Sequence, residues 1–310
     1  MIHIIITSYN EPNSTLRAVK TFLNQNIEDN FEIVVVDPFP KVEKFLKKNI
    51  KSKKVKFFLD PGEGKSYALN ILFQEYGSDN KKDIFILTDG DVYVSKNTLK
   101  EILEKFKDPK IGCVTGKPVS IDSKNNKYGY WSHLLFAGIH KTRNKLSNNK
   151  KFLECSGYLF AIRKGVILDF PLETSEDSII PYLFWKKGYK IAYADKAEVY
   201  VKNPSNWQDW QNQKIRNIKA HENLNKIARN MPRTKSFFNE IREGALYSLT
   251  YPRNLREVFW TMQLYFARLH IYIKAFNELK QKKNYADGWR NTEIHSTKPL
   301  DRFKFLQSLF

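Results

Sequence analysis

Apolar residues in this chain come in short clusters separated by turn residues, and the clusters alternate between two spacings. Residues 2–7 are a β-branched run, broken by Ser8-Tyr9-Asn10-Glu11-Pro12. Leu16, Val19, Phe22 and Leu23 then recur at three- and four-residue intervals, which predicts a helix over 13–26. A second β-branched run, 31–36, ends at Asp37. Val42, Phe45 and Leu46 mark a helix, 55–59 a third strand, and Leu69, Leu72 and Phe73 a helix over 63–76. Residues 84–87 are a fourth strand. Strand and helix alternating through short connections predict a doubly wound α/β sheet. The alternation then loosens: a helix over 98–106, a strand over 111–115, a long helix over 128–146, and a strand over 152–162. A helix over 178–187 and strands over 190–194 and 198–201 follow, and from Ser205 the pattern is helical almost to the end. A boundary near Asn203 divides the chain into 1–203, an α/β domain, and 204–310, a helical C-terminal region.

In doubly wound sheets ligands bind outside the carboxyl ends of the strands. Three polar clusters fall there: Ser8–Glu11, Asp37, and Thr88-Asp89-Gly90-Asp91. Asp89 and Asp91, one residue apart at a strand end, can both face a cleft. That is the oxygen chemistry of a hard divalent cation, which takes few protein ligands and completes its shell from phosphate and water. An isolated Asp-Gly is ordinary turn chemistry; what gives this one weight is its company.

Gly62-Glu63-Gly64-Lys65-Ser66 is a Gly-containing turn at a helix start. It lacks the spacing of a P-loop, because Leu59 stands where the first Gly would be. Backbone N–H groups and Lys65 can hold a phosphate there, or the turn simply caps the helix. In Ser175-Glu176-Asp177-Ser178, Pro181 is tolerated only in a first helical turn, which predicts Ser178 as N-cap and Asp177 on the preceding loop. A carboxylate there complements the helix dipole, and it is also where a general base facing a cleft would sit. Farther on, Gln213, Arg216 and Asn217 share a helix face that suits an anionic ligand. Trp207 and Trp210 offer a sugar-stacking surface or, as is commoner for such pairs, core. Residues 255–276 are apolar nearly all round, apart from a stripe of Arg256, Gln263, His270 and Lys274, with Arg268 outside it. So wide an apolar face predicts burial within the fold, ahead of a homo-oligomer interface or a membrane surface.

Of 310 residues, 42% are hydrophobic and 27% charged, as in a soluble globular protein. No run reaches the roughly 18 apolar residues of a membrane span, and no basic-then-apolar leader opens the chain. The two cysteines make neither a disulfide framework nor a metal spacing. Together these predict a cytoplasmic protein, with the inner membrane face as the alternative address. The net charge is +19, and from Lys202 onward 20 Lys/Arg stand against 9 Asp/Glu, a surplus of 11. That permits a nucleic-acid partner, an anionic lipid surface, or merely a Lys-rich solvated surface. The acidic strand-end clusters repel bare phosphate, so nucleic acid is not expected.

In order and spacing, these segments resemble the family 2 glycosyltransferases of GT-A fold. Thr7-Ser8-Tyr9-Asn10-Glu11 is similar to the opening strand-end motif, Val36-Asp37 to the strand ending in a base-reading Asp, and Gly64-Lys65-Ser66-Tyr67-Ala68-Leu69-Asn70 to G-K-x-x-A-L-N. Thr88-Asp89-Gly90-Asp91 resembles the D-x-D metal motif, and Gly157-Tyr158-Leu159-Phe160-Ala161-Ile162-Arg163 the acceptor-side strand. Glu176-Asp177 resembles the E-D pair, and Gln213-Lys214-Ile215-Arg216 the start of Q-x-x-R-W. The chain departs from the family at Pro38-Phe39-Pro40, where an acidic, Gly and Ser continuation is usual, and at Asn217, where the Trp of polymer-forming members would stand.

The resemblance implies a metal-dependent inverting transferase that moves a sugar from a nucleotide-sugar donor, expected to be UDP-linked, to a hydroxyl of a glycan or lipid-linked acceptor. It implies donor binding by Thr7, Tyr9, Glu11, Asp37, Lys65, Asp89 and Arg216, and Mn²⁺ or Mg²⁺ on Asp91 with Asp89. Acceptor contacts fall to Gly157, Tyr158, Gln213, Trp207 and Trp210, and catalysis to Asp177 with Glu176. A nucleotidyltransferase on a related α/β fold is the alternative. It also needs strand-end carboxylates and a metal, but it leaves Glu176-Asp177 and Gln213–Arg216 without a role.

Overall fold

The computed structural model describes residues 1–77, 80, 82–172, 174–232, 244 and 247–281. The elements are β1 (Ile2–Thr7), α1 (Pro12–Leu23), β2 (Phe31–Asp37), α2 (Pro40–Asn49), β3 (Val55–Leu59), α3 (Lys65–Glu75), β4 (Ile84–Asp89) and β5 (Tyr93–Val94). They continue as α4 (Thr98–Lys105), β6 (Ile111–Ser120), α5 (Lys127–Asn148), β7 (Leu159–Arg163), α6 (Glu176–Lys186), β8 (Lys190–Val201), α7 (Trp207–Ile227) and α8 (Leu255–Lys280). The strands form one mixed sheet in the order β3-β2-β1-β4-β7-β6-β8-β5. The first four are parallel, β7 runs antiparallel to both β4 and β6, and β8 is parallel to β6. This is the α/β architecture of a GT-A fold with C-terminal helices added.

Side-chain alternation builds a core on each face of the sheet. Ile4, Ile6, Ile33, Val35 and Ile86 pack with Val19 and Phe22 of α1, Val42 of α2 and Leu99 of α4. Ile5, Val34, Val36, Phe85 and Leu87 pack with Leu69 and Phe73 of α3 and Ile180 of α6 on the opposite face. A third cluster joins Tyr130 and Trp131 of α5, Trp210, Ile215 and Ile218 of α7, and Leu264 and Ile271 of α8. Asn203, the expected boundary, is buried, and its N–H and Nδ2 both donate to Asp122 Oδ2. The C-terminal helices are therefore docked through a rigid junction and a shared core.

Several expectations need correction. α6 begins at Glu176 with Ser175 as N-cap, so Asp177 lies in its first turn and Pro181 lies inside the helix. Pro181 supplies no N–H to the carbonyl four residues back. That carbonyl, Asp177 O, instead accepts the Cys155 N–H at 2.9 Å. The same bond helps explain why residues 151–156 are not strand: the Ser156 N–H is likewise drawn away, to Thr115 Oγ1. β7 starts only at Leu159, after a turn closed by Leu159 N–H to Ser156 O. Residues 190–201 are one strand, not two, and the two-residue β5 gave no sequence signal. Nor, among the described residues, is α8 sandwiched. Thr261, Leu264, Ala267, Ile271 and Ala275 face the protein, whereas Phe259, Met262, Phe266, Leu269 and Ile273 are exposed. Residues 282–310, expected to be largely helical, lie outside the described residues.

Candidate active site

The carboxyl ends of β1, β2 and β4 open onto a cavity of about 1400 Å³. Register places Thr7 beside Asp89, so the two leave adjacent strands together. Thr7 Oγ1 donates to Thr88 O at 3.2 Å and to Asp89 Oδ1 at 3.3 Å. Between the two acids, the Gly90 N–H donates to Thr7 O at 2.7 Å. A Cβ on Gly90 would lie 2.7 Å from the Ser8 Cβ, so only glycine lets the Asp89–Asp91 turn close against the β1 loop. Thr7, Tyr9, Glu11, Asp89 and Asp91 all line the cavity.

Asp37 does not. It is fully buried and off the cavity wall, which its neighbours Val36 and Pro38 form. Its Oδ2 accepts Ser8 Oγ–H at 2.5 Å and the Asn10 N–H at 2.9 Å, and its Oδ1 accepts the Phe39 N–H at 2.8 Å. Burial pushes its carboxyl above the ordinary range, and the three hydrogen bonds oppose that shift. The expected base-reading carboxylate is thus a brace that ties the β1 and β2 loops together. Above it, Tyr9 and Phe39 meet edge to face at 5.2 Å, with Tyr9 exposed.

Lys65 also differs from expectation. Its Nζ lies 2.7 Å from Asp89 Oδ1 and 2.6 Å from Glu176 Oε1, so it bridges the D-x-D strand end and the start of α6. Burial alone would pull the ammonium down, but the two carboxylates outweigh it and hold Lys65 above the ordinary lysine range. It is a link between two halves of the site rather than an open phosphate ligand. In the same motif, Asn70 clips α3 to Phe170 through reciprocal bonds of 2.9 and 3.1 Å.

Asp177 lines the same cavity. Its Oδ2 accepts the Gly157 N–H at 3.1 Å, and its Oδ1 accepts Ser175 Oγ–H. The first turn of α6 adds the favourable end of a helix dipole. Gly157, Tyr158, Gln213 and Arg216 line the same cavity. Trp207 does not, and Trp210, though on its wall, is 1% exposed, between Trp131 at 4.9 Å and Trp207 at 5.7 Å. Trp210 is core packing, and Trp207 stacks on its outer side, exposed and off the cavity wall. Three wall residues escaped the sequence reading. Arg143 donates to Cys155 O at 2.9 Å, Glu154 accepts Ser178 Oγ–H at 2.6 Å, and His221 Nδ1 lies 3.7 Å from Glu154. They stand on different elements, and no local spacing marks them.

Among the described residues no group of three or more His, Cys, Asp or Glu side chains is placed to hold a metal. The donor set at hand, Asp91 with Asp89, fits a hard cation that takes one or two carboxylates and fills its shell from substrate phosphates.

Residues 3–169, more than half of the chain, match the family described as glycosyl transferase family 2. The chain belongs to that family. Over 130 residues it is 29% identical to the O-antigen chain rhamnosyltransferase WbaN of Salmonella anatum, a match covering 37% of this chain and 39% of that protein. The chain thus aligns with well under half the length of this relative.

Proposed function

We propose that this chain is an inverting, metal-dependent glycosyltransferase that moves one sugar from a nucleotide-sugar donor to a hydroxyl of a glycan or lipid-linked acceptor. The observation that carries the reading is that Asp89, Asp91 and Asp177, from β4 and α6, line one cavity. The donor diphosphate would lie along Thr7, Tyr9, Asp89 and Asp91, with the nucleobase toward the Tyr9–Phe39 edge. Asp91, with Asp89, would hold Mn²⁺ or Mg²⁺; when bound, that cation neutralises charge on the departing diphosphate. Arg216 adds a permanent positive charge on the same wall.

Asp177 is the general base. Its carboxylate takes the proton of the acceptor hydroxyl as that oxygen attacks the anomeric carbon. The bond from that carbon to the diphosphate oxygen breaks on the opposite face, so the anomeric centre inverts with no covalent enzyme intermediate. The Gly157 N–H and Ser175 hydroxyl orient the carboxylate. Gln213 Oε1 is buried with no partner among the described residues, and an acceptor hydroxyl would satisfy it. Asn217, in place of the Trp of polymer-forming members, supports single addition over processive extension.

The test is a thermal-shift panel of UDP, GDP, CDP and dTDP with their sugars, each with Mn²⁺ and with EDTA. Because the similar protein is named for rhamnose transfer, a rhamnose donor belongs in the panel. A ligand at about 100 times its dissociation constant adds about 2.7 kcal/mol of stability. One nucleotide is expected to shift the wild type, and its shift to vanish in EDTA and in Asp91→Ala. A shift that survives both treatments overturns metal dependence.

A further inference from the structure

Among the described residues, α8 presents a face that nothing packs over. Its protein-facing residues are largely small, Thr261, Ala267 and Ala275 among them. At 100° per residue the opposite face is centred on Leu255, Met262, Phe266 and Ile273. Leu255 is 88% exposed, Phe266 70%, Phe259 57% and Met262 54%. The stripe spans nearly the whole helix, about 35 Å at 1.5 Å per residue. No helix among the described residues is long and apolar enough to cross a membrane.

The charges on α8 are sorted with respect to this stripe. Its two acids are taken up by the protein: Glu257 accepts the Arg253 N–H at 2.8 Å, and Glu278 lies 2.6 Å from Lys219 Nζ. The bases outside the protein-facing side lie at one margin and at the end. By helical angle Arg256, His270 and Lys274 line one edge and Lys280 stands at the exposed C-terminal end, while Arg268 falls on the protein-facing side against Tyr272. An apolar stripe with a basic margin and no acid on its open face is the pattern of a helix lying in a bilayer interface. A second copy of the chain fits the face less well. Each copy carries a net charge of +19, and the stripe offers no acid to pair with a partner's bases. An anionic surface meets both features, since each base near it adds attraction.

We infer that α8 binds the surface of an anionic bilayer, with its apolar stripe at the acyl boundary and its basic margin among the headgroups. Phe266, Leu269, Ile273 and Phe276 belong both to the stripe and to the wall of the catalytic cavity. Docking therefore sets the mouth of that cavity at the membrane, within reach of an acceptor hydroxyl carried on a lipid. That last step rests on the function proposed above; the binding does not.

The experiment is flotation of the full chain with neutral phosphatidylcholine vesicles and with vesicles carrying about 30% phosphatidylglycerol. The chain is expected to float with the anionic vesicles, and to lose association as salt rises from about 0.1 to about 0.5 M and the Debye length shrinks. The double variant Phe259→Glu/Met262→Glu, at exposed positions off the cavity wall, should bind at least about tenfold more weakly. Its melting temperature should stay within about 2 °C of wild type, which separates lost binding from lost folding. Absence of flotation overturns the inference, as does flotation undiminished in the variant. A chain that ignores vesicles but dimerises in sedimentation velocity, with the dimer lost in the variant, assigns the face to a second copy instead. Flotation reads no sugar transfer, so its failure leaves the proposed reaction standing, and failure of transfer leaves the flotation result standing.

Discussion

Replacing Lys65 by Met keeps most of the aliphatic stem but removes the cation that holds Asp89 and Glu176 together. Two contacts of 2.7 and 2.6 Å disappear, and two carboxylates remain side by side without it. Removing one partner of a buried ion pair costs about 3–5 kcal/mol. The side chains of Lys65 and Asp89 are 22% and 31% exposed and that of Glu176 is 9%, so screening lowers the expected loss to about 2–3 kcal/mol. For a chain of this size each kcal/mol moves the melting temperature by about 2–4 °C, giving a fall of about 4–12 °C. Thermal melts across pH check the sign. The folded ammonium holds its proton more tightly than the unfolded one, whose ordinary pKa is 10.5. Its stabilisation is therefore complete below that value and is lost only as pH rises beyond it. The gap between wild type and variant should stay flat from about pH 6 to about pH 9. Mn²⁺ should recover more stability in the variant than in wild type, because it can replace the missing positive charge. A variant melting within about 1 °C of wild type over this range would refute the bridge as a net stabilising feature.

Other substitutions test other parts of the site. Asp177→Asn should lower transfer at least about 10²-fold while nucleotide binding survives, as read by turnover beside thermal shift. Gly90→Ala forces the Ser8 Cβ contact of 2.7 Å apart and should cost about 1–3 kcal/mol together with most donor affinity, measured by denaturant unfolding and nucleotide titration. Asp37→Ala leaves three donors without their acceptor and should cost about 2–4 kcal/mol in the same unfolding assay. His3, wedged between Tyr76 and Phe85, is lowered from 6.5 to about 4, chiefly by burial and then by Lys164. Because the unfolded chain takes up that proton first, stability should fall by about 2–3 kcal/mol as pH drops from about 6.5 to about 4, and His3→Gln should flatten that slope in pH-dependent melts.

The α/β sheet, its first four strands and the clustering of Thr7, Glu11, Asp89 and Asp91 at one edge were legible in the sequence. Each depends on local periodicity and on the rule that parallel strands connected by helices present their carboxyl ends together. Asp177 and Gln213 were legible only as motifs, because nothing local to either segment says that both reach the cavity shared with Asp91. Where side chains turn and what covers them was decided by tertiary structure. Asp37 ends a strand just as Asp89 does, yet three N–H and O–H donors from neighbouring loops enclose it. Lys65 reads as a phosphate ligand until two carboxylates from β4 and α6 converge on it. Pro181 predicts a later helix start, because Cys155, the residue whose N–H satisfies the freed carbonyl, lies on another segment. The hydropathy of α8 could not tell a buried helix from an exposed one: periodicity shows how wide an apolar face is, and only packing decides how much of it the protein covers.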